Sequence, residues 1–170
     1  MSQAFLREDD IHDHTPPPRN FPVVPPGTKN HLTATGAVRL REELASLTEK
    51  RATMTAATRD PDARRQVRDL DHRIQHLQQS LRTAEVAPVE GGSSDVVRFG
   101  ATVTVRDDHH VETRYRIVGV DETDFGPNHV SWISPLAQAL LNARVGQRVR
   151  LKTPRGATQL EIVAVGYDSA

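Results

Sequence analysis

The chain is 170 residues long, 36% hydrophobic and 26% charged, values ordinary for a soluble protein with room for one domain or two small ones. Lys plus Arg equals Asp plus Glu at 22 each, so a generally basic surface for free nucleic acid is not indicated, although local patches are allowed. The absence of cysteine excludes disulfides, thiolate metal sites and a cysteine nucleophile. No stretch suits a membrane span, and the N-terminus through Asp10 lacks the apolar core of a secretory signal, so a cytoplasmic location is expected.

Residues 1–31 carry Pro16-Pro17-Pro18 and Pro25-Pro26-Gly27 in a mostly polar setting, which predicts a disordered or extended tail. His12-Asp13-His14 within it reads as solvated polar chain rather than as a set of ligands.

Residues 32–86 predict a helical hairpin. In the first arm Leu40, Leu44, Leu47, Arg51 and Met54 step by 4, 3, 4 and 3 residues, one stripe with a single polar member. In the second arm Val67, Leu70, Ile74, Leu77, Leu81 and Ala84 step by 3, 4, 3, 4 and 3, again a narrow seam rather than a broad core face. Two seams joined by Thr58-Arg59-Asp60-Pro61-Asp62 should pack antiparallel. Asp60 suits the N-cap of the second helix, Pro61 its first position and Asp62 its first turn, where negative charge meets the helix dipole. Pro61 also turns its predecessor away from helical dihedrals, so the first helix should stop by Arg59. Thr33 and Thr35 are candidate caps for the first helix. At ~1.5 Å per residue each arm runs roughly 35 Å. His72 and His76 stand four apart and have the spacing of a metal pair, but they lie away from the Leu70 and Leu77 seam and read better as solvent-exposed.

Ala87-Pro88-Val89-Glu90-Gly91-Gly92-Ser93-Ser94 has linker composition, so a boundary is placed at residues 87–95. From residue 96 to 170 the period becomes strand-like. Strands are expected over residues 102–105, 115–120, 129–133, 148–151 and 159–165. Turns fall at Asp107-Asp108, Phe125-Gly126-Pro127-Asn128 and Thr153-Pro154-Arg155-Gly156. One short helix starts at Pro135 with Ser134 as its N-cap and Gly146 beyond its end. Trp132, Phe99, Ile117 and Ile162 are the expected core. The result is an α+β fold, a helical hairpin followed by a small β domain with one helix. Asp107-Asp108-His109-His110 needs no role beyond a loop.

Residues 134–146, Ser-Pro-Leu-Ala-Gln-Ala-Leu-Leu-Asn-Ala-Arg-Val-Gly, resemble the signature of the bacterial Gre transcript-cleavage factors, the GreA and GreB type. Val97-Arg98-Phe99-Gly100-Ala101-Thr102-Val103, Tyr115-Arg116-Ile117-Val118-Gly119 and Thr153-Pro154-Arg155-Gly156 resemble that family's FKBP-like C-terminal domain in content and order. Leu32-Thr33-Ala34-Thr35-Gly36 is similar to the opening of its first helix, and Gly27-Thr28-Lys29-Asn30 to GreB-type members. Asn142 stands where the family usually has glycine, and Gln147 where Gly-Asp would place an acid.

The resemblance implies an antiparallel coiled-coil hairpin on an FKBP-like antiparallel β domain. The domain would dock on the rim of the RNA polymerase secondary channel while the hairpin tip nears the active site. Tip carboxylates would there share a Mg²⁺ ion with the polymerase for cleavage of backtracked RNA. Asp60 matches the family's first tip acid; Asp62 falls one residue short of the second, whose place Ala63 takes. Each helix also looks about one heptad shorter than GreB-type arms, about 10 Å less reach. Asp60 and Asp62 are thus the candidate tip and metal residues, with capping alone as the competing account. Arg59, Arg64 and Arg65 are candidates for contact with polymerase or nascent RNA, or a solvated basic face. Ser134, Pro135 and Leu136 are docking candidates, or simply a good helix start. The expected protein is a monomeric, cytoplasmic accessory factor that touches the RNA and DNA of the transcription complex indirectly. It is not an enzyme, holds no cofactor of its own and has no membrane partner. The alternatives are an FKBP-type prolyl isomerase or chaperone, for which five aromatics in residues 95–170 are few, and a coiled-coil interaction module.

Overall fold

The computed structural model describes residues 24–57, 60–88, 95–154 and 156–167. His12-Asp13-His14, Pro16-Pro17-Pro18, Arg59, Gly91-Gly92-Ser93-Ser94 and Arg155 lie outside them.

Two helices, α1 (Ala34–Ala57) and α2 (Pro61–Thr83), form the hairpin. At 24 and 23 residues they match the expected reach of roughly 35 Å at ~1.5 Å per residue. Their seam is the predicted one: Leu40, Ile74 and Leu77 are buried, with Leu44, Leu47 and Leu81 packed beside them. The polar member of the first stripe is accounted for by charge, since the Arg51 guanidinium bonds Asp71 on the other arm. That hydrogen bond and the carboxylate charge raise the Arg51 pKa above its ordinary value, so it is a permanent cation. A second rung is bidentate, Arg73 to Glu43 at 2.8 and 3.0 Å.

The hairpin is closed at its foot by backbone. Strand β1 (Asn30–Leu32) leads into α1, and β2 (Ala84–Val86) continues from α2; the two pair in parallel, Asn30 opposite Ala84 and Leu32 opposite Val86. The tail expected over residues 1–31 therefore ends in this small sheet.

The globular part is a five-stranded sheet in the order β5-β4-β3-β7-β6: β3 (Thr102–Arg106), β4 (Glu112–Val118), β5 (His129–Ser131), β6 (Arg148–Thr153) and β7 (Gly156–Gly166). Helix α3 (Pro135–Leu140) packs on it. Val103, Val105, Ile117, Leu140 and Ile162 form the center of the core, and Phe99 and Trp132 pack partly buried at its edge. The sheet is antiparallel except at β5, which runs parallel to β4. The reason is a 3-10 helix, Val120–Phe125, which starts at the last residue of the strand that the sequence pattern predicts over 115–120. It carries the chain back so that β5 re-enters in the direction of β4. The Asp107 turn is as expected, with the Asp107 carboxylate accepting from the backbone of Val111 at 2.9 Å and His109 at 2.8 Å. Those bonds, Val111 first, hold its pKa below the ordinary carboxylate value.

Candidate functional site

The tip is built from local chemistry. Asp60 has extended dihedrals, φ −82° and ψ 131°, and its Oδ1 accepts from the Asp62 N–H at 3.2 Å, with Pro61 at the first helical position. The Asp60 carbonyl accepts the first helical bond from Arg64 N–H at 3.1 Å. Asp60, Asp62, Arg64 and Arg65 are all exposed and Ala63 is half-buried, so the end of the hairpin presents charged side chains to solvent. Asp62 has no ion-pair partner among the described residues.

Ser134, Pro135 and Leu136 sit at the start of α3 on the globular sheet. The Ser134 hydroxyl oxygen accepts from Ala137 N–H at 3.2 Å, Pro135 is exposed, and Leu136 packs on the core. The two departures in this stretch keep the backbone chemistry. Asn142 has φ +66°, a left-handed conformation that suits glycine and that Asn tolerates better than most residues. Gln147 Oε1 accepts from Arg144 N–H at 3.1 Å, a bond that a carboxylate would also accept.

The base of the hairpin holds a polar network that sequence reasoning missed. Glu122, 2% exposed, reaches from the 3-10 helix to the start of α1. Its Oε2 accepts from Thr33 N–H at 3.0 Å and Gly119 N–H at 2.8 Å, and its Oε1 accepts a hydrogen bond from the Thr33 hydroxyl. Thr33 in turn caps α1 by accepting from Gly36 N–H at 2.9 Å. The neighboring acid, Asp121, holds α2: Ser80 donates its hydroxyl to Oδ2, and His76 Nε2 lies 2.6 Å from Oδ1. His76 is therefore not solvent-exposed as its place away from the seam implied; its side chain is 18% exposed because the globular domain covers that face. His72 is exposed as expected. Asn30 joins the same network, donating to Ser80 Oγ and carbonyl at 3.1 and 3.0 Å. A usable signal was present, since Gly119-Val120-Asp121-Glu122 has the spacing of a capping box.

The comparisons with known proteins bear on this architecture. Residues 92–167 match the family described as "Transcription elongation factor, GreA/GreB, C-term". The transcription elongation factor GreB of Neisseria meningitidis serogroup B is 37% identical over 155 residues, covering 82% of this chain and 95% of its own length. The chain belongs to the GreA/GreB family. As a Gre factor it is a transcription elongation factor, an accessory protein rather than an enzyme. The GreB of Pseudomonas aeruginosa aligns at 33% identity over 82% of this chain and 91% of its own. A solved chain, the GreA factor homolog 1 (Gfh1) protein of Thermus thermophilus, aligns at 25% identity over 82% of this chain and 99% of its own, with a TM-score of 0.38. Among the described residues of this Gre factor no helix is long and apolar enough to cross a membrane.

Proposed function

We propose that this Gre factor binds RNA polymerase at the rim of its secondary channel through the globular domain, with Ser134, Pro135 and Leu136 at the contact, and extends the hairpin into the channel to modulate elongation and backtracking. The observation that carries the reading is the hairpin itself: roughly 35 Å of paired helix at ~1.5 Å per residue, fastened at its foot and bare at its end. Such a shape delivers side chains to a place the globular domain cannot enter. The exposed Arg64 and Arg65 would meet phosphates of the nascent RNA there, together with Arg59, which lies outside the described residues. The factor works as a monomer in the cytoplasm and meets DNA only within the transcription complex.

The tip supports regulation, or competition with other channel factors, over efficient stimulation of cleavage. Asp60 and Asp62 carry the oxygen ligands that Mg²⁺ prefers. One Asp60 oxygen is occupied in capping, and among the described residues no third acid or histidine groups with the pair. An ion engaged at the tip would therefore take most of its ligands from the polymerase. The test is to add the protein to backtracked elongation complexes and follow RNA length and pause lifetime. Binding with altered pausing and little cleavage is the expected result. Strong cleavage that disappears in Asp60→Ala with Asp62→Ala would establish a metal-directed tip, and no binding to polymerase would end the reading.

A prolyl-isomerase reading loses support at one place. His31 of β1 packs on both Phe99 and Trp132, centroids 5.6 and 5.1 Å away, where an aromatic-lined pocket would need open space.

A further inference from the structure

The start of α1 lacks half of its own cap. In a capping box the residue three positions after the N-cap is Glu or Gln, and it reaches back to the N-cap N–H. Here the N-cap is Thr33 and the third position is Gly36, which has no side chain to offer. The carboxylate that takes the Thr33 N–H comes instead from Glu122 of the other domain, 89 residues away in sequence. It fills the space Gly36 leaves: a Cβ on Gly36 would lie 1.7 Å from Glu122 Oε1 and 2.2 Å from its Cδ. The same carboxylate caps the 3-10 helix through Gly119 N–H, so one buried charge serves two helix N-termini, each of which favors an anion.

Asp121 adds the second point. It is buried and bonded to Ser80 and His76, one turn apart on α2. Consecutive acids thus hold the two arms separately, Glu122 on α1 and Asp121 on α2. Backbone approach leaves little slack between them, since a Cβ on Gly119 would lie 2.4 Å from the His31 carbonyl oxygen.

We propose that Asp121 and Glu122 form a two-point clamp that fixes the direction in which the hairpin leaves the globular domain, and that Glu122, acting as a cap in trans, is the positioning residue for the tip. The seam gives the hairpin its stiffness, and the clamp gives it an aim. Gly36 is part of the device because any side chain there evicts the carboxylate. The functional consequence rests on the channel-entry reading above; the clamp itself does not.

The absence of cysteine allows a direct measurement on the full chain. Spin labels at Ala56→Cys near the tip and Lys152→Cys on β6, both exposed, report the distance between hairpin and sheet by pulsed electron spin resonance. One narrow distribution is expected in the parent. In Glu122→Ala and in Gly36→Ala it should broaden by about twofold or more, while the helical circular dichroism signal is retained, because each domain keeps its own core. Distributions that superimpose on the parent's would overturn the proposal. Should Glu122→Ala not fold, Gly36→Ala and His76→Ala decide the question by the same readout. With polymerase present, the clamp variants should bind through the globular domain and lose the hairpin's effect on pausing; binding with an undiminished effect overturns the aiming role. Failure of the parent to bind polymerase would refute channel entry and leave the distance result to judge the clamp alone.

Discussion

The two ends of the hairpin follow one heptad rhythm and reach opposite physical states. At the base Leu32, Ala37, Leu40 and Leu77 are fully covered because Phe125 of the globular domain packs over them as a third layer. Their polar neighbors are absorbed by Asp121 and Glu122. Toward the tip Met54, Val67 and Leu70 occupy equivalent seam positions yet stay half-buried, since two helices alone cannot enclose a side chain. The difference teaches that a seam specifies pairing while a third layer confers burial. It also divides labor: changes at the base act on architecture, whereas changes at the tip leave the architecture standing and act on whatever the tip meets.

The sharpest way to break that comparison is to truncate the same kind of residue at each end. Leu77→Ala should cost about 2–5 kcal/mol because it opens a cavity in a closed cluster. Leu70→Ala, the matched truncation toward the tip, should cost less, about 1.5 kcal/mol or below, the half-wet seam having less to lose. Denaturant unfolding of both variants measures the gap; equal losses would show that the tip is enclosed after all. Next in size is Glu122→Gln, which removes the charge from the three hydrogen bonds and makes the Thr33 hydroxyl turn from donor to acceptor if the NH₂ replaces Oε1. A loss of about 1–3 kcal/mol is expected in thermal unfolding. Arg51→Gln, which severs the exposed Arg51–Asp71 rung, should leave the melting temperature nearly unchanged.

The contrast also explains what was legible in the sequence. The seam, Pro61 at the start of α2, and the Asp60 and Ser134 caps are all set within a few residues, so heptad spacing and cap chemistry located them. His76 was misplaced for the opposite reason: a helical pattern identifies the face toward its partner helix and is silent about a third element covering another face. Glu122 meets Thr33 across 89 residues, a pairing that local pattern cannot carry. The parallel placement of β5 was hidden likewise, because the 3-10 helix that turns the chain begins at Val120, a residue with strand preference. At the tip the Asp60 cap and the Pro61 helix start were legible because both are set by neighbors in the chain.

At the tip, stability and function come apart by design of the substitution. Asp60→Ala removes the cap and should cost about 1 kcal/mol, fraying the first turn of α2. Asp60→Asn keeps an equally good cap while removing the charge, so its unfolding curve should follow the parent's. If Asp60→Asn also behaves like the parent in backtracked complexes, the carboxylate is a structural cap. If the effect on RNA is lost while the fold is intact, the charge itself acts on the polymerase.

Asp62 offers the most discriminating change at the tip. Its carboxylate sits in the first turn of α2 without an ion-pair partner among the described residues, so its only structural role is to complement the helix dipole. Asp62→Asn should therefore cost a few tenths of a kcal/mol, and less at high salt, because an exposed charge is screened over about 10 Å at 0.1 M. That near-silence in stability makes it a clean probe. A cleavage or pausing defect in Asp62→Asn cannot be assigned to fraying, as it can for Asp60→Ala. A full set of parent-like transcripts, by contrast, would confine the tip's action to Asp60 and the neighboring arginines, and would show that an acid one residue short of the family's second position is no substitute for it.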